Sequence, residues 1–203
     1  SFDAFKTVVN DVGGVEIELT ESEAAYLNAT NYIRPAKYRT VKAGKHTLNG
    51  AQALGYCRIR KYAKGIQPVT PNGQIDDYGR TWRQRNAITS IFSKVKKMPK
   101  SQWLKIAKDV LKQNVKTDLS NKQIFNYIKD VVMMGTTTIH QLQIPVNPYF
   151  SGGNVPGVGS CLSIQKEYQA DAINQFVFKY DGKGGEFTYT PSSDVSGYVS
   201  SST

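Results

Sequence analysis

The sequence predicts an α/β or α+β fold in which helices pack on a β-sheet. Segments with the period-two alternation of strands lie near both ends of the chain, and three segments with helical periodicity lie between them. The 203 residues suit one domain, and we find no internal repeat and no composition break before about residue 181. We therefore expect one domain over residues 1–180, followed by a terminal strand and a Ser-rich, flexible tail over 181–203.

The first elements are a strand and a capped helix. Apolar and acidic residues alternate over 15–19, which is typical of a strand with one buried face. Thr20 and Glu23 form a capping box, so a short helix should follow over 21–27. The next segment, to about residue 47, lacks periodicity and predicts a loop with one strand at most.

The middle of the chain is predicted to be mainly helical. Asn49 can cap a short helix that leads into an extended segment at 56–60, and Pro and Gly residues then predict a loop over 63–79. Apolar residues recur with helical spacing over 83–98, and Pro99 should end that helix.

Two more helices and a second β region are expected to follow. The helices are predicted over 101–114 and from a capping box at Ser120 and Gln123 to a C-cap at Gly135. Further on we predict four elements: a strand at 140–146, a short helix within 162–174, and paired strands at 176–180 and 187–190.

The positive charge is concentrated in one segment. The chain has a net charge of +10, and residues 34–85 hold twelve basic and two acidic side chains, whereas the rest holds fourteen of each sign. All seven arginines lie in that segment: Arg34, Arg39, Arg58, Arg60, Arg80, Arg83 and Arg85. Arginine binds phosphate and carboxylate through a planar fork of donors, so this segregation favours an anion site over a merely solvated basic face.

Two groups of these arginines could form such a site. Arg58 and Arg60 would point to one side of an extended segment. Residues 77–85 lead into a helix N-terminus, where backbone N–H groups favour anions. If the helix begins early, Arg80 and Gln84 share one face. The alternative is that Asp76 and Asp77 only pair with Arg80 and cap the helix.

Three stretches together resemble, in order and spacing, the later motifs of the LytR-CpsA-Psr family. They are NDVGGVEIEL at 10–19, LNGAQALGYCRIRK at 48–61 and DDYGRTWRQRNAI at 76–88; GSCLSI at 159–164 is similar to the closing segment of the family. The resemblance covers roughly residues 1–180 and the C-terminal two thirds of such a domain. It implies the mixed-sheet fold of the family, incomplete in this chain.

The resemblance also implies an activity. Family members are extracytoplasmic, membrane-anchored enzymes that transfer a glycopolymer, such as wall teichoic acid or capsular polysaccharide, from a polyprenyl pyrophosphate carrier to peptidoglycan. Carried over by motif, the residues that would bind the pyrophosphate are Arg58, Arg60, Arg80 and Gln84. Asp77 would orient these arginines and belong with Arg80 and Gln84 to the catalytic group, and Arg83 would give structural support.

The earlier family motifs, which carry aspartates associated with Mg²⁺, have no counterpart in this sequence. We therefore expect the Mg²⁺ ligands and the membrane anchor upstream of residue 1. Either a second chain supplies the missing half, or half of the active site is absent, and in the second case we do not expect activity from this chain alone. An extracytoplasmic location would also permit one disulfide between Cys57 and Cys161, with two buried thiols as the alternative.

Two other functions compete with the transferase. The first is a non-catalytic module that binds anionic cell-wall polymer. The second is a single-stranded nucleic-acid binder, because tyrosines interleave with the basic residues. No nucleic-acid-binding motif accompanies them, so we expect no nucleic-acid partner. His46 and His140 are isolated in the sequence, and we expect no zinc site.

Overall fold

The fold is described from a computed structural model of the chain. The structure describes residues 1–99, 101–103, 105–106, 109, 118–134, 138–183 and 187–195. The chain forms two compact units, Ser1–Thr137 and Thr138–Thr203.

Helices and one small sheet alternate along the first unit. Its elements are α1 (Phe2–Asp11), β1 (Val15–Leu19), α2 (Glu21–Ala29), a 3₁₀ turn (Ala36–Tyr38), β2 (Gly44–Leu48), α3 (Gly50–Arg58), α4 (Asp76–Val95) and α5 (Asn121–Met134). Together with the sheet of the second unit, they confirm the predicted α/β class; the strands form two separate antiparallel pairs. No helix of the described segments is long and apolar enough to cross a bilayer.

The sheet of the first unit covers the core with one face. β1 and β2 pair antiparallel, with Val15 opposite Leu48 and Leu19 opposite Gly44. The apolar residues of β1 are buried and its two glutamates are exposed, as the alternation predicts. Burying them stabilises the fold by roughly 1.5–3 kcal/mol per side chain. The core they join includes Val9, Tyr26, Leu27, Ile33, Ala53, Tyr56, Ile59 and Ala87.

Helices α1 and α3 approach each other at a glycine. A Cβ atom on Gly50 would lie 2.4 Å from the carbonyl oxygen of Lys6, so only glycine allows this backbone contact. The Asn10 side chain accepts a hydrogen bond from the N–H of Gly50 at 2.8 Å, which fixes the start of α3 against α1.

Two helix boundaries differ from the predictions. Helix α3 continues through Arg58, where we predicted an extended segment, because Tyr56 and Cys57 are buried on its inner side. Helix α4 begins at Asp76 instead of Arg83, since Gly79, Arg83 and Ala87 form a buried stripe with a spacing of four residues.

The predicted capping boxes are present. The Thr20 hydroxyl accepts a hydrogen bond from the N–H of Glu23, whose carboxylate accepts one from the N–H of Thr20. At α5, the Ser120 N–H donates to the side chain of Gln123, and the Gln123 N–H donates to the Ser120 hydroxyl. Most of the predicted helix over 101–114, the predicted C-cap Gly135 of the helix after it and the tail beyond residue 195 lie outside the described residues.

The second unit contains a hairpin and a helix. β3 (Phe150–Val155) pairs antiparallel with β4 (Gly159–Ile164), and α6 (Lys166–Asn174) continues into a π-helical turn (Gln175–Lys179). The short helix predicted within 162–174 is confirmed as Lys166–Asn174, and the GSCLSI segment before it is a strand.

Three strand predictions in this unit are wrong: residues 140–146, 176–180 and 187–190 form no strands. Residues 140–146 form no strand, since Pro145 has no N–H for a ladder and the N–H of Val146 donates to the side chain of Gln169 at 2.8 Å. Residues 176–180 are helical, with the N–H of Tyr180 donating to Gln175. Phe176 and Tyr180 contact Phe187 through edge-to-face aromatic rings instead of a β-ladder.

A buried ion pair joins α2 to α4. Arg83 Nε donates to Glu23 Oε1 at 2.7 Å, and both side chains are fully buried. The other two guanidinium nitrogens donate to the carbonyl oxygens of Ile59 and Pro68, at 3.4 and 3.3 Å. The second oxygen of Glu23 accepts the N–H of Thr20. Each polar atom of the pair therefore has a partner, as a buried pair requires.

The first prediction concerns this pair. Glu23→Gln keeps a side chain that can complete the capping box, but it leaves the Arg83 charge buried without a counter-ion. We expect the free energy of unfolding to fall by about 3–5 kcal/mol in urea titrations. Glu16→Gln is the control, because its ion pair with Lys94 is long, 3.9 Å, and Glu16 is 70% exposed. The control should lose less than about 1 kcal/mol, and equal losses in both variants would contradict the structural role.

The two cysteines are free thiols in different units. Cys57 is buried in α3 and Cys161 is partly exposed in β4. A disulfide between them stays a prediction, and of the two buried thiols in the alternative, only Cys57 is buried. Burial raises the pKa of the Cys57 thiol to about 12, because the charged thiolate would lack water.

The second prediction follows from that pKa. At pH 8, a pKa of about 12 leaves roughly one Cys57 side chain in ten thousand as the reactive thiolate. Iodoacetamide should therefore modify Cys161 in the folded protein and leave Cys57 intact, and both should react in urea. Mass spectrometry of the digested protein measures this; equal labelling rates at the two positions without urea would show that Cys57 is not buried.

Candidate functional site

Two arginines from separate segments contact one carboxylate. Arg60 follows the end of α3, whereas Asp77 and Arg80 lie in the first turns of α4. Arg60 Nη2 donates to Asp77 Oδ2, and Arg80 Nη2 lies 2.6 Å from Asp77 Oδ1. The three side chains are 42%, 45% and 38% exposed for Arg60, Asp77 and Arg80, so solvent and ligands can reach them. We call these three residues the arginine trio.

The trio is suited to bind an anion. It carries two positive charges against one negative charge, and each guanidinium has five N–H donors of which the carboxylate uses few. The remaining donors are held in planar forks that match phosphate oxygens. Because both arginines contact the same carboxylate, one diphosphate could contact both of them.

Gln84 lies one helical turn after Arg80 on the same side of α4. Its Nε2 donates to the carbonyl oxygen of Cys57 at 3.3 Å, which connects α4 to the last turn of α3. This contact holds the segment before Arg60 close to the helix that carries Asp77 and Arg80. Its predicted contact with a pyrophosphate stays a prediction.

Arg58 is not part of the arginine trio. Its guanidinium carbon lies 5.4 Å from the ring centres of both Phe2 and Tyr32, a distance typical of cation–π contacts. The extended arrangement predicted for Arg58 and Arg60 is wrong, because Arg58 is the last residue of α3 and Arg60 lies beyond its end. A role of Arg58 in pyrophosphate binding stays a prediction.

Sequence reasoning missed one partner at the site. Arg83 was expected to pair with a carboxylate, but nothing in the sequence identified Glu23, sixty residues earlier, beyond its place in a capping box. The alternative for Asp76 and Asp77, pairing with Arg80 and capping the helix, is present in part. Asp77 does pair with Arg80, while Ile75 is the N-cap residue and its side chain caps nothing.

The residues present do not fit a magnesium site. Among the side chains that the structure describes, no group of three or more His, Cys, Asp and Glu residues could hold a metal ion. Both oxygens of Asp77 face arginines, so this carboxylate is committed to ion pairs. No chemical step is therefore assigned to Mg²⁺ on these residues.

Comparisons with known proteins place the chain among cell-wall proteins. Regulatory protein MsrR of Staphylococcus aureus is 27% identical over 144 residues, which are 68% of this chain and 39% of MsrR. The polyisoprenyl-teichoic acid–peptidoglycan teichoic acid transferase TagU of Enterococcus faecalis is 35% identical over 117 residues, which are 57% of this chain and 31% of TagU. The chain thus spans about two fifths of MsrR and less of TagU.

A solved structure and a family model agree with these relatives. The crystal structure of protein gbs0355 from Streptococcus agalactiae matches with a TM-score of 0.57 and 26% identity, over 86% of this chain and 52% of that protein. The LytR_cpsA_psr family model matches residues 1–175, which include the arginine trio, Gln84 and the Arg83–Glu23 pair. The chain therefore belongs to the LytR_cpsA_psr family.

Proposed function

We propose that this chain is the pyrophosphate-binding part of a phosphotransferase that moves a glycopolymer from a polyprenyl pyrophosphate carrier to peptidoglycan. Membership of the LytR_cpsA_psr family and the teichoic acid transferase name of the relative TagU support the reaction class. The observation that carries the proposal is the shared carboxylate of Arg60 and Arg80. The reaction would take place at the extracytoplasmic face of the membrane, where such a carrier and its acceptor meet.

Substrate binding follows from the geometry of the trio. The two phosphates of the carrier would take the free N–H donors of Arg60 and Arg80, while Asp77 keeps the two guanidinium groups together before the substrate arrives. Preorganised donors cost little reorganisation when charge develops, which makes them effective in the transition state. The surplus of basic residues in 34–85 would also attract the polyanionic polymer.

The transfer step would be a displacement at phosphorus. A hydroxyl oxygen of the acceptor sugar forms a bond to the phosphorus nearest the glycan and loses its proton to a base. The bond between that phosphorus and the bridging oxygen breaks, and polyprenyl phosphate leaves with the bond electrons. Arg60 and Arg80 would stabilise the negative charge on the bridging and terminal oxygens; a catalytic arginine in phosphoryl transfer contributes ~10³–10⁵ in rate.

A non-catalytic module for anionic cell-wall polymer is the second candidate. One observation favours it: the carboxylate nearest to the two arginines is paired with both of them, so it is not free to act as a general base. The transferase and the binding module would both use the arginine trio to bind an anion, but only the transferase would catalyse a reaction. Binding of a lipid pyrophosphate without transfer to peptidoglycan would support the module.

The third prediction tests Arg80. In a protein that also carries the earlier family motifs, Arg80→Ala should reduce transfer of a lipid-linked teichoic acid analogue to peptidoglycan by at least about a hundredfold, equal to about 3 kcal/mol of transition-state stabilisation. The loss is expected because Arg80 would contact the phosphates, and the transfer rate measures it. Arg85→Ala is the matched control: Arg85 lies on the same helix and makes no contact with Asp77 among the ion pairs of the described residues. Near-normal transfer by Arg80→Ala would remove Arg80 from the mechanism.

The fourth prediction tests the coupling within the trio. Arg60→Ala and Asp77→Asn each break the same ion pair, so their effects on the dissociation constant of geranylgeranyl pyrophosphate should be less than additive in the double variant. We expect a coupling of about 0.5–3 kcal/mol from isothermal titration calorimetry. The pair Arg85→Ala and Asp77→Asn is the control and should be additive. Full additivity for Arg60 and Asp77 would show that they act independently.

A further inference from the structure

The first unit contains a polar cleft outside the arginine trio. It has a volume of about 400 Å³, within the range of small-molecule sites. It lies between α1, the segment around the 3₁₀ turn and the start of α3. Its lining residues include Lys6, Asn10, Arg34, Tyr38 and Asn49. None of them belongs to the trio, and the proposed transfer reaction uses none of them.

Two asparagines in this cleft are oriented by backbone N–H groups. Asn10 Oδ1 accepts the N–H of Gly50 at 2.8 Å, and Asn49 Oδ1 accepts the N–H groups of Ala51 and Gln52, both at 3.0 Å. A carboxamide oxygen accepts hydrogen bonds and its NH₂ group donates, so these contacts fix both side-chain orientations. The NH₂ groups have no partner within the described part of the chain, and they are the atoms left to bind a ligand.

The charges of the cleft leave a surplus positive group. Lys6 pairs with Asp3 at 2.6 Å, so these two charges largely compensate each other. The Arg34 guanidinium forms no ion pair or hydrogen bond with any residue that the structure describes. The cleft therefore offers one free guanidinium and two amide donors to a ligand, with the hydroxyl of Tyr38 beside them.

The walls of the cleft are held rigidly. The close contact between Gly50 and the backbone of Lys6 fixes α1 against the start of α3, and the hydrogen bond from Gly50 to Asn10 bridges the same two helices. A site whose donors are already in position loses less conformational entropy on binding. The donors contributed by Asn10 and Asn49 therefore keep their relative position without a ligand.

We propose that this cleft binds an anionic saccharide. The carboxylate or phosphate of the sugar would contact Arg34, and its hydroxyl oxygens would accept hydrogen bonds from the amide groups of Asn10 and Asn49. A ligand of this chemistry matches both the surplus charge and the neutral donors, whereas an inorganic anion would use only the charge. This second site goes beyond the proposed transfer, and its binding can be measured without a lipid carrier.

NMR titration of the ¹⁵N-labelled chain tests the proposal directly. The side-chain amide signals of Asn10 and Asn49 report on the cleft itself. N-acetylmuramic acid supplies a carboxylate, glucosamine 6-phosphate supplies a phosphate, and N-acetylglucosamine is the neutral comparison. We expect at least one of the two acidic sugars to shift both amide signals. Its dissociation constant should be at least about tenfold lower than that of the neutral sugar, because a hydrogen bond to a charged group contributes about that factor. Comparison of the acidic sugars shows which anion is preferred.

Two charge-matched variants complete the experiment. Arg34→Gln should raise the dissociation constant of the acidic sugar about tenfold, whereas Lys42→Gln, an exposed residue outside the cleft lining, should change it less than twofold. No shift of the two amide signals with any sugar would overturn the site. Equal affinity for acidic and neutral sugars, or no effect of Arg34→Gln, would overturn its anion preference. Either result leaves the proposed transferase reaction untouched, because the arginine trio is not involved.

Discussion

The buried guanidinium of Arg83 fixes the backbone from which Arg60 and Arg80 extend. It donates to Glu23 in α2 and to the carbonyl oxygens of Ile59 and Pro68, so three segments of the chain meet at one side chain. Ile59 is the residue before Arg60, and Arg80 lies one turn before Arg83 on α4. The position of Arg60 relative to Arg80 therefore follows from Arg83, which is buried and which no ligand can reach. A lysine could not replace it, since a single ammonium does not present donors in a fixed planar fork.

The buried contacts of Arg83 hold the backbone, and the exposed ion pairs orient only side chains. Weak exposed ion pairs can therefore form part of a precise site. Pairs as exposed as those of Arg60 and Arg80 with Asp77 contribute roughly 0–1 kcal/mol each, too little to hold a backbone in place. The backbone is held by the buried pair and by Gln84, whose contact with the carbonyl of Cys57 connects α4 to the end of α3. Asp77 is then needed only to orient the side chains of Arg60 and Arg80, because their backbone positions are already fixed. The side chain of Arg60 extends from the turn after α3 and that of Arg80 from the first turns of α4, so both arginines of the trio start from fixed backbone.

Alternation and capping motifs in the sequence predicted β1 and the starts of two helices correctly. They could not predict contacts between residues that are far apart in the sequence. The alternation in β1 and the capping boxes at Thr20 and Ser120 depend on neighbouring residues, and the structure confirms them. The early start of α4 was missed because its buried stripe consists of a glycine, an arginine and an alanine, which carry no hydrophobic periodicity. The strand at 140–146 was predicted from alternation alone, which Pro145 and the hydrogen bond from the Val146 N–H to the Gln169 side chain override. The arginines of the candidate site were predicted from their concentration in one segment and from the family resemblance, but their separation into exposed, aromatic-packed and buried environments depends on tertiary contacts.

Helix α3 links the arginine trio to the polar cleft. Its N-cap, Asn49, lines the cleft, and Arg60 lies two residues after its last residue. Nine helical residues span roughly 13 Å, so the two anion-attracting regions are related by one short helix instead of a flexible loop. Both ends of this helix are fixed by side chains from other elements, Asn10 at the start and Arg83 with Gln84 near the end. A shift of α3 along its axis would break contacts at both of its ends, so this helix holds the two regions at a constant separation.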